Sequence, residues 1–96
     1  MISVINDNDG KIIAYIEWEI VNGEGQFQDN GEYCYIQDYW VHKEYRIQSK
    51  YILKKLSVQI AEHKFSKSMR WVYWCRHKYN DRLSRLYPKE KFLKGA

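Results

Sequence analysis

What most limits the fold of this chain is where its hydrophobic period changes. Ile12, Ala14, Ile16, Trp18 and Ile20 alternate with Ile13, Tyr15, Glu17 and Glu19. That is the two-residue repeat of a strand with one wet face. From Ser49 the repeat lengthens. Ile52, Leu53, Leu56, Ile60 and His63 fall at helical spacing, Lys50, Lys54 and Lys55 take the outer surface, and Ser49 is placed to cap the start. At Arg70–Cys75, dense in Trp and Tyr, the strand pattern returns. One sheet with a helical crossover follows from this order.

The remaining segments fill in the outline. Ile2 and Val4 precede the Asp9-Gly10 turn signal, so the first two strands form a hairpin. Residues 22–32 are a Gly- and Asn-rich loop. A third strand spans Tyr33 to Val41, with Tyr33, Tyr35, Gln37 and Tyr39 on one face and Cys34, Ile36, Asp38 and Trp40 on the other. Asn80 or Asp81 caps a short helix through Leu86 that Pro88 closes, leaving a tail at Phe92-Leu93. The fold class expected is α/β (α+β), a single domain over residues 1–96 in the order β-β-β-α-β-α.

Charge is divided along the chain. Residues 1–42 hold one lysine against eight acids, whereas residues 43–96 hold fifteen Lys and Arg against four. The basic half suits a polyanion, whether a nucleotide-like cofactor or a nucleic acid, or it faces the acidic half of the same molecule. Aromatics are 17% of the chain and there is one proline, which fits a packed small core rather than disorder. Cys34 and Cys75 lie in apolar stretches and read as buried, reduced thiols. With no run of ~18 apolar residues and no signal-peptide pattern, the expected setting is a reducing cytoplasm, away from membranes.

Two segments carry a family resemblance. Trp40-Val41-His42-Lys43-Glu44-Tyr45-Arg46-Ile47-Gln48-Ser49-Lys50-Tyr51 resembles a strand, then V-x-P-x-x-R, then R-x-x-G-x-G/A opening a helix. Val41, Tyr45 and Arg46 match, while Lys43, Ser49 and Tyr51 depart from it. Asn80-x-x-Leu83-x-x-Leu86-Tyr87-x-x-x-Lys91-Phe92 is similar to N-x-x-A-x-x-L-Y-x-x-x-G-F. These are motifs of the GNAT N-acetyltransferase superfamily, and they stand in the family's order. The resemblance implies a mixed, mostly antiparallel sheet lacking the family's N-terminal helices and last strands.

It also implies acetyl-CoA as cofactor, with acetyl transfer to an amine on a macromolecule. Val41, Arg46, Ile47, Gln48, Ser49, Lys50 and Tyr51 would form the cofactor site, its helix-start amides meeting the pyrophosphate. Asn80 would be a further cofactor contact, Tyr87 the catalytic acid for the departing thiolate, and Glu17 or Glu19 a base for the amine. Read from the residues alone, Tyr87 anchors the last helix to the sheet. Tyr51 would close the cofactor slot if its ring filled the gap between the third and fourth strands.

Other partners fit the composition. Arg70-Trp71-Val72-Tyr73-Trp74-Cys75-Arg76-His77-Lys78-Tyr79 interleaves aromatics with bases, as single-stranded nucleic acid needs, although a core strand explains the aromatics by alternation. A GNAT-like module without activity would bind nucleic acid or a protein through this basic half. The trimmed sheet also invites a homo-oligomer that covers its exposed layers. Asp38 and His42 are spaced as an acid–base pair on one strand face. The three histidines are too scattered for a metal site. Richness in Ile, Lys, Asn and Tyr points to an AT-rich genome, and the small aromatic-rich chain resembles proteins carried by bacteriophages.

Overall fold

The computed structural model describes residues 1–78 and 81–95, and for 75–78 and 81–84 the backbone alone. Five strands make one sheet in the order β1 (Ile2–Asn6), β2 (Ile12–Val21), β3 (Tyr33–Val41), β4 (Trp71–Lys78) and β5 (Asp81–Pro88). All neighbours are antiparallel except β3 and β4. The crossover between those two carries a 3-10 helix (Lys43–Gln48), then α1 (Ser49–Glu62) and a second 3-10 turn (Lys64–Ser66). A short α2 (Lys89–Leu93) ends the chain. The fold is the mixed α+β sheet that the alternation and the GNAT resemblance lead one to expect.

The first hairpin closes as its sequence dictates. Asp7 Oδ1 accepts the amides of Asp9 and Lys11 at 2.9 Å each, and Gly10 takes a left-handed φ of 83°. α1 then buries Ile52, Leu53, Leu56 and Ile60 against the sheet, the face that its spacing marks. Trp18 and Phe92 are the largest side chains fully enclosed in this core. Both helices contribute to the same core cluster, so the sheet has one covered face.

Two bulges reset the faces. Ile5 pairs with Ala14 but Asn6 with Ile12, so Ile13 is an extra residue and turns inward while Ile12 is exposed. Glu17 pairs with Asp38 but Trp18 with Ile36, so Gln37 is extra on β3. Beyond it the phase of β3 inverts. Tyr39 and Val41 join Cys34 and Ile36 on the covered face, and Asp38 and Trp40 join Tyr33 and Tyr35 on the open one. Strict alternation through Gln37 therefore misplaces residues 38–40.

The second departure is at the C terminus, where residues 81–88 form a strand instead of the helix expected from 80 or 81 to Leu86. Leu83, Leu86 and Tyr87 mimic helical spacing, but an unpaired β4 would leave a row of backbone groups without partners. Pairing Tyr73 with Leu86 and Val72 with Tyr87 satisfies them. Pro88 also forces extended geometry on Tyr87 and, having no N–H, suits the last position of an edge strand. It starts α2 as its N-cap rather than closing a helix.

Candidate functional site

The parallel pairing of β3 and β4 covers only Tyr33–Ile36 against Trp71–Trp74. Past Ile36 and Trp74 the strands part, each keeping its antiparallel neighbour, and the Gln37 bulge sits where they separate. A bulge increases local twist and bends its strand away. The result is a V-shaped opening, with the Gln37–Val41 segment of β3 along one side and the start of the crossover at its mouth.

Residues at that mouth are held in a defined way. His42 Nδ1 accepts the Glu44 amide at 3.2 Å, and Tyr45 N–H donates to the His42 carbonyl at 2.8 Å, which starts the 3-10 helix. Arg46, exposed, donates from Nε to the Val41 carbonyl at 3.4 Å, tying its guanidinium to the end of β3. Ile47 projects into solvent, 95% exposed. The Tyr39 hydroxyl donates to the Ser49 carbonyl at 2.7 Å and lies 3.3 Å from Ser49 Oγ. The Tyr39 ring meets Trp74 edge-on at 5.7 Å, spanning the opening beneath α1.

The structure gathers Val41, Arg46, Ile47, Gln48, Ser49, Lys50 and Tyr51 at this mouth, with two corrections. Ser49 is not the cap of α1: Gln48 holds that position without a side-chain bond, and Ser49 is the first helical residue. Nor are all the amides of 47–51 open to an anion. The 3-10 helix spans Lys43–Gln48, and Ser49 N–H donates to the Arg46 carbonyl. The first-turn amides of Lys50 and Tyr51 have no α-helical acceptor, and with the Arg46 and Lys50 side chains they are what this corner offers a phosphate. Tyr51 does not fill the opening. Its ring is 58% exposed and packs under Lys55 Nζ at 4.8 Å.

Other expected residues lie elsewhere. Tyr87 is on β5 opposite Val72, which is level with Cys34, two residues short of where β3 and β4 separate. It is 7% exposed on the covered face, with Lys91 Nζ 5.5 Å from its ring centroid. This is the packing position, not a place beside the opening. Asn80 lies outside the described residues, as do Tyr79 and the side chains of Arg76, His77 and Lys78. Asp38 and His42 do not pair. Asp38 accepts the Tyr15 hydroxyl at 2.7 Å, while His42 is occupied by Glu44. That bond from Asp38, then partial burial and the charges of Asp38 and Glu17, raise the Tyr15 pKa above its ordinary value. Glu19 pairs with the terminal amine of Met1 at 2.8 Å.

Sequence reasoning missed the aromatic ladder on the open face. Tyr15 stacks on Trp40 at 5.6 Å, and Tyr35 on Tyr73 at 5.6 Å. The alternation of Tyr33, Tyr35 and Tyr73 carried the signal for the second pair, while the bulge hid the first. A comparison with curated proteins returned no match to this chain. The profile of the acetyltransferase (GNAT) family matches residues 2–92, almost the whole chain. With the bulged strand, the parting of β3 from β4 and the helix that starts at its mouth, this shows that the chain belongs to the acetyltransferase (GNAT) family.

Proposed function

We propose that the protein binds acetyl-CoA in the opening between β3 and β4 and passes the acetyl group to an amine on a macromolecule. The observation that carries the reading is the separation of the two parallel strands at Ile36 and Trp74, directly below the start of α1. Gln37–Val41 of β3 has β2 on one side only, so its other edge offers an extended pantetheine arm a strand's row of N–H and C=O groups. Arg46, Lys50 and the amides of Lys50 and Tyr51 would face the phosphates. The cofactor supplies an acetyl group activated as a thioester. An amine nitrogen would bond to the acyl carbon as the carbon–sulfur bond breaks, the coenzyme leaving as its thiolate and taking up the proton that the amine loses.

The chain's own residues supply position and field. β3 fixes the arm, Arg46 and Lys50 neutralise phosphate charge, and the Tyr39–Trp74 contact sets the depth of the slot. Tyr87 is given a packing role, and of the two β2 carboxylates Glu17 is the one open to an incoming amine, since Glu19 holds Met1. Incubation with acetyl-CoA and a lysine-bearing peptide tests the reading through release of free CoA thiol and the gain of one acetyl group on the peptide. Thiol release without peptide acetylation, or neither, would contradict it.

A further inference from the structure

The face of the sheet opposite the helices carries a second feature. Residues paired across the strands place Tyr15, Glu17 and Glu19 of β2, Tyr33, Tyr35, Asp38 and Trp40 of β3, and Trp71 and Tyr73 of β4 on this face. Ile2 is 62% exposed there, and Leu86, opposite Tyr73, is 53% exposed. At one end the face is concave. A hollow of about 520 Å³ is lined by Asn22, Glu24, Tyr33, Tyr35, Tyr73 and Leu86 among others. The stacked Tyr35 and Tyr73 rings form its floor, 5.6 Å apart and 18° from coplanar.

We infer that this open face docks a basic polypeptide and that the hollow receives one of its lysine side chains. Aromatic rings beside a carboxylate attract an ammonium group through the ring quadrupole and the charge together. Glu24 stands on the rim, and Glu17 and Asp38 extend the negative surface across β2 and β3, while the charge of Glu19 is met by the Met1 amine.

Charge selects this occupant over its rivals. Nucleic acid meets carboxylates here, whereas the exposed lysines Lys50, Lys54 and Lys55 lie on α1 behind the sheet. A second copy packed face to face about a two-fold axis would bring both sets of Glu17 and Asp38 into one interface. The whole chain has a net charge of +4, so bulk attraction cannot draw a polycation to it. Only a local acidic surface can.

Position links the hollow to the opening between β3 and β4. Tyr35 and Tyr73 form the rung next to Ile36 and Trp74, where the strands part. The floor of the hollow therefore lies one rung, ~3.3 Å along the strand, before the last residues paired ahead of the slot. That the docked lysine is the acetyl acceptor rests on the acyl-transfer reading. The docking does not, and it is measured without cofactor.

The test is fluorescence anisotropy of a labelled Lys-Gly repeat peptide titrated with the full chain at moderate salt, beside a Glu-Gly peptide and an oligothymidylate. The expected result is saturable binding of the lysine peptide alone. Glu24→Lys, on an exposed loop, and Tyr73→Leu should each weaken it about tenfold, with Lys54→Gln as an unaffected control. Circular dichroism checks each variant's fold, and Glu24→Lys decides if Tyr73→Leu does not fold. Absence of lysine-peptide binding, or binding that Glu24→Lys leaves unchanged, would overturn the inference. So would a dimer in sedimentation that Leu86→Glu dissolves, or DNA binding that Tyr73→Leu abolishes. Peptide binding by a protein that ignores acetyl-CoA would support docking and retire the acyl-transfer reading.

Discussion

Cys34 lies in the middle of the sheet with no exposed surface. Burial pushes its thiol pKa from 9.0 up to about 12, with the charge of Glu19 adding and the terminal amine subtracting. A folded-state pKa raised above the unfolded value stabilises the fold fully below pH 9 and is lost as pH rises toward 12. In a Cys75→Ser background, stability measured by urea should therefore fall by about 1.4 kcal/mol per pH unit through that window from this group. Replacing Cys34 by Ala should flatten the slope. Tyr87 is a second residue-scale case. Its ring is enclosed on the covered face, at a rung two residues short of the slot, so Tyr87→Phe should leave acetyl transfer within about twofold of the parent. A loss of a hundredfold, of the order a general acid contributes, would restore it to the chemistry. The residue types at the slot were legible in the sequence because Val41 and Arg46 stand in the family's spacing. The use of the Ser49 amide was not legible, since nothing in the residue types says that the turn winds into a 3-10 helix.

Among elements, β3 decides most. Its single extra residue turns Tyr39 and Val41 toward α1 and separates the strand from β4, so one bulge serves both core and slot. Inserting one alanine after Gln37 would add a residue that the bulge does not absorb, turning Tyr39 and Val41 out and Asp38 and Trp40 in. Burying the Asp38 carboxylate without its Tyr15 partner should cost about 3 kcal/mol or more and unfold or strongly destabilise the domain. Gln37→Ala, which keeps the bulge, should shift the thermal midpoint by only a few degrees. Equal stability of the two variants would show that the bulge does not set the faces. The strands and α1 were readable because their periods are long and regular. β5 was not, because Leu83, Leu86 and Tyr87 satisfy a helical pattern and only the partner strand decides otherwise. Pro88 held the local clue by excluding helical geometry at Tyr87.

At the scale of the molecule, the described residues of the sheet's open face and of α1 carry opposite charges. The sheet's open face carries Glu17, Glu19 and Asp38, while Lys50, Lys54 and Lys55 line the exposed side of α1. The split between residues 1–42 and 43–96 foretold the polarity, but not that it would divide across the sheet, which depends on both helices packing on one side. An anionic cofactor and a cationic acceptor would thus approach from opposite sides and meet at the gap between β3 and β4. Among the described residues no helix is long and apolar enough to cross a membrane. The central claim is that the gap holds acetyl-CoA, and calorimetric titration of acetyl-CoA into the full chain tests it most directly. The account expects saturable micromolar binding, weakened about tenfold by Arg46→Ala, in line with one lost charge-assisted phosphate contact. It expects little change with Lys67→Ala, remote from the slot. Absence of heat up to millimolar cofactor, or binding indifferent to Arg46, would contradict it.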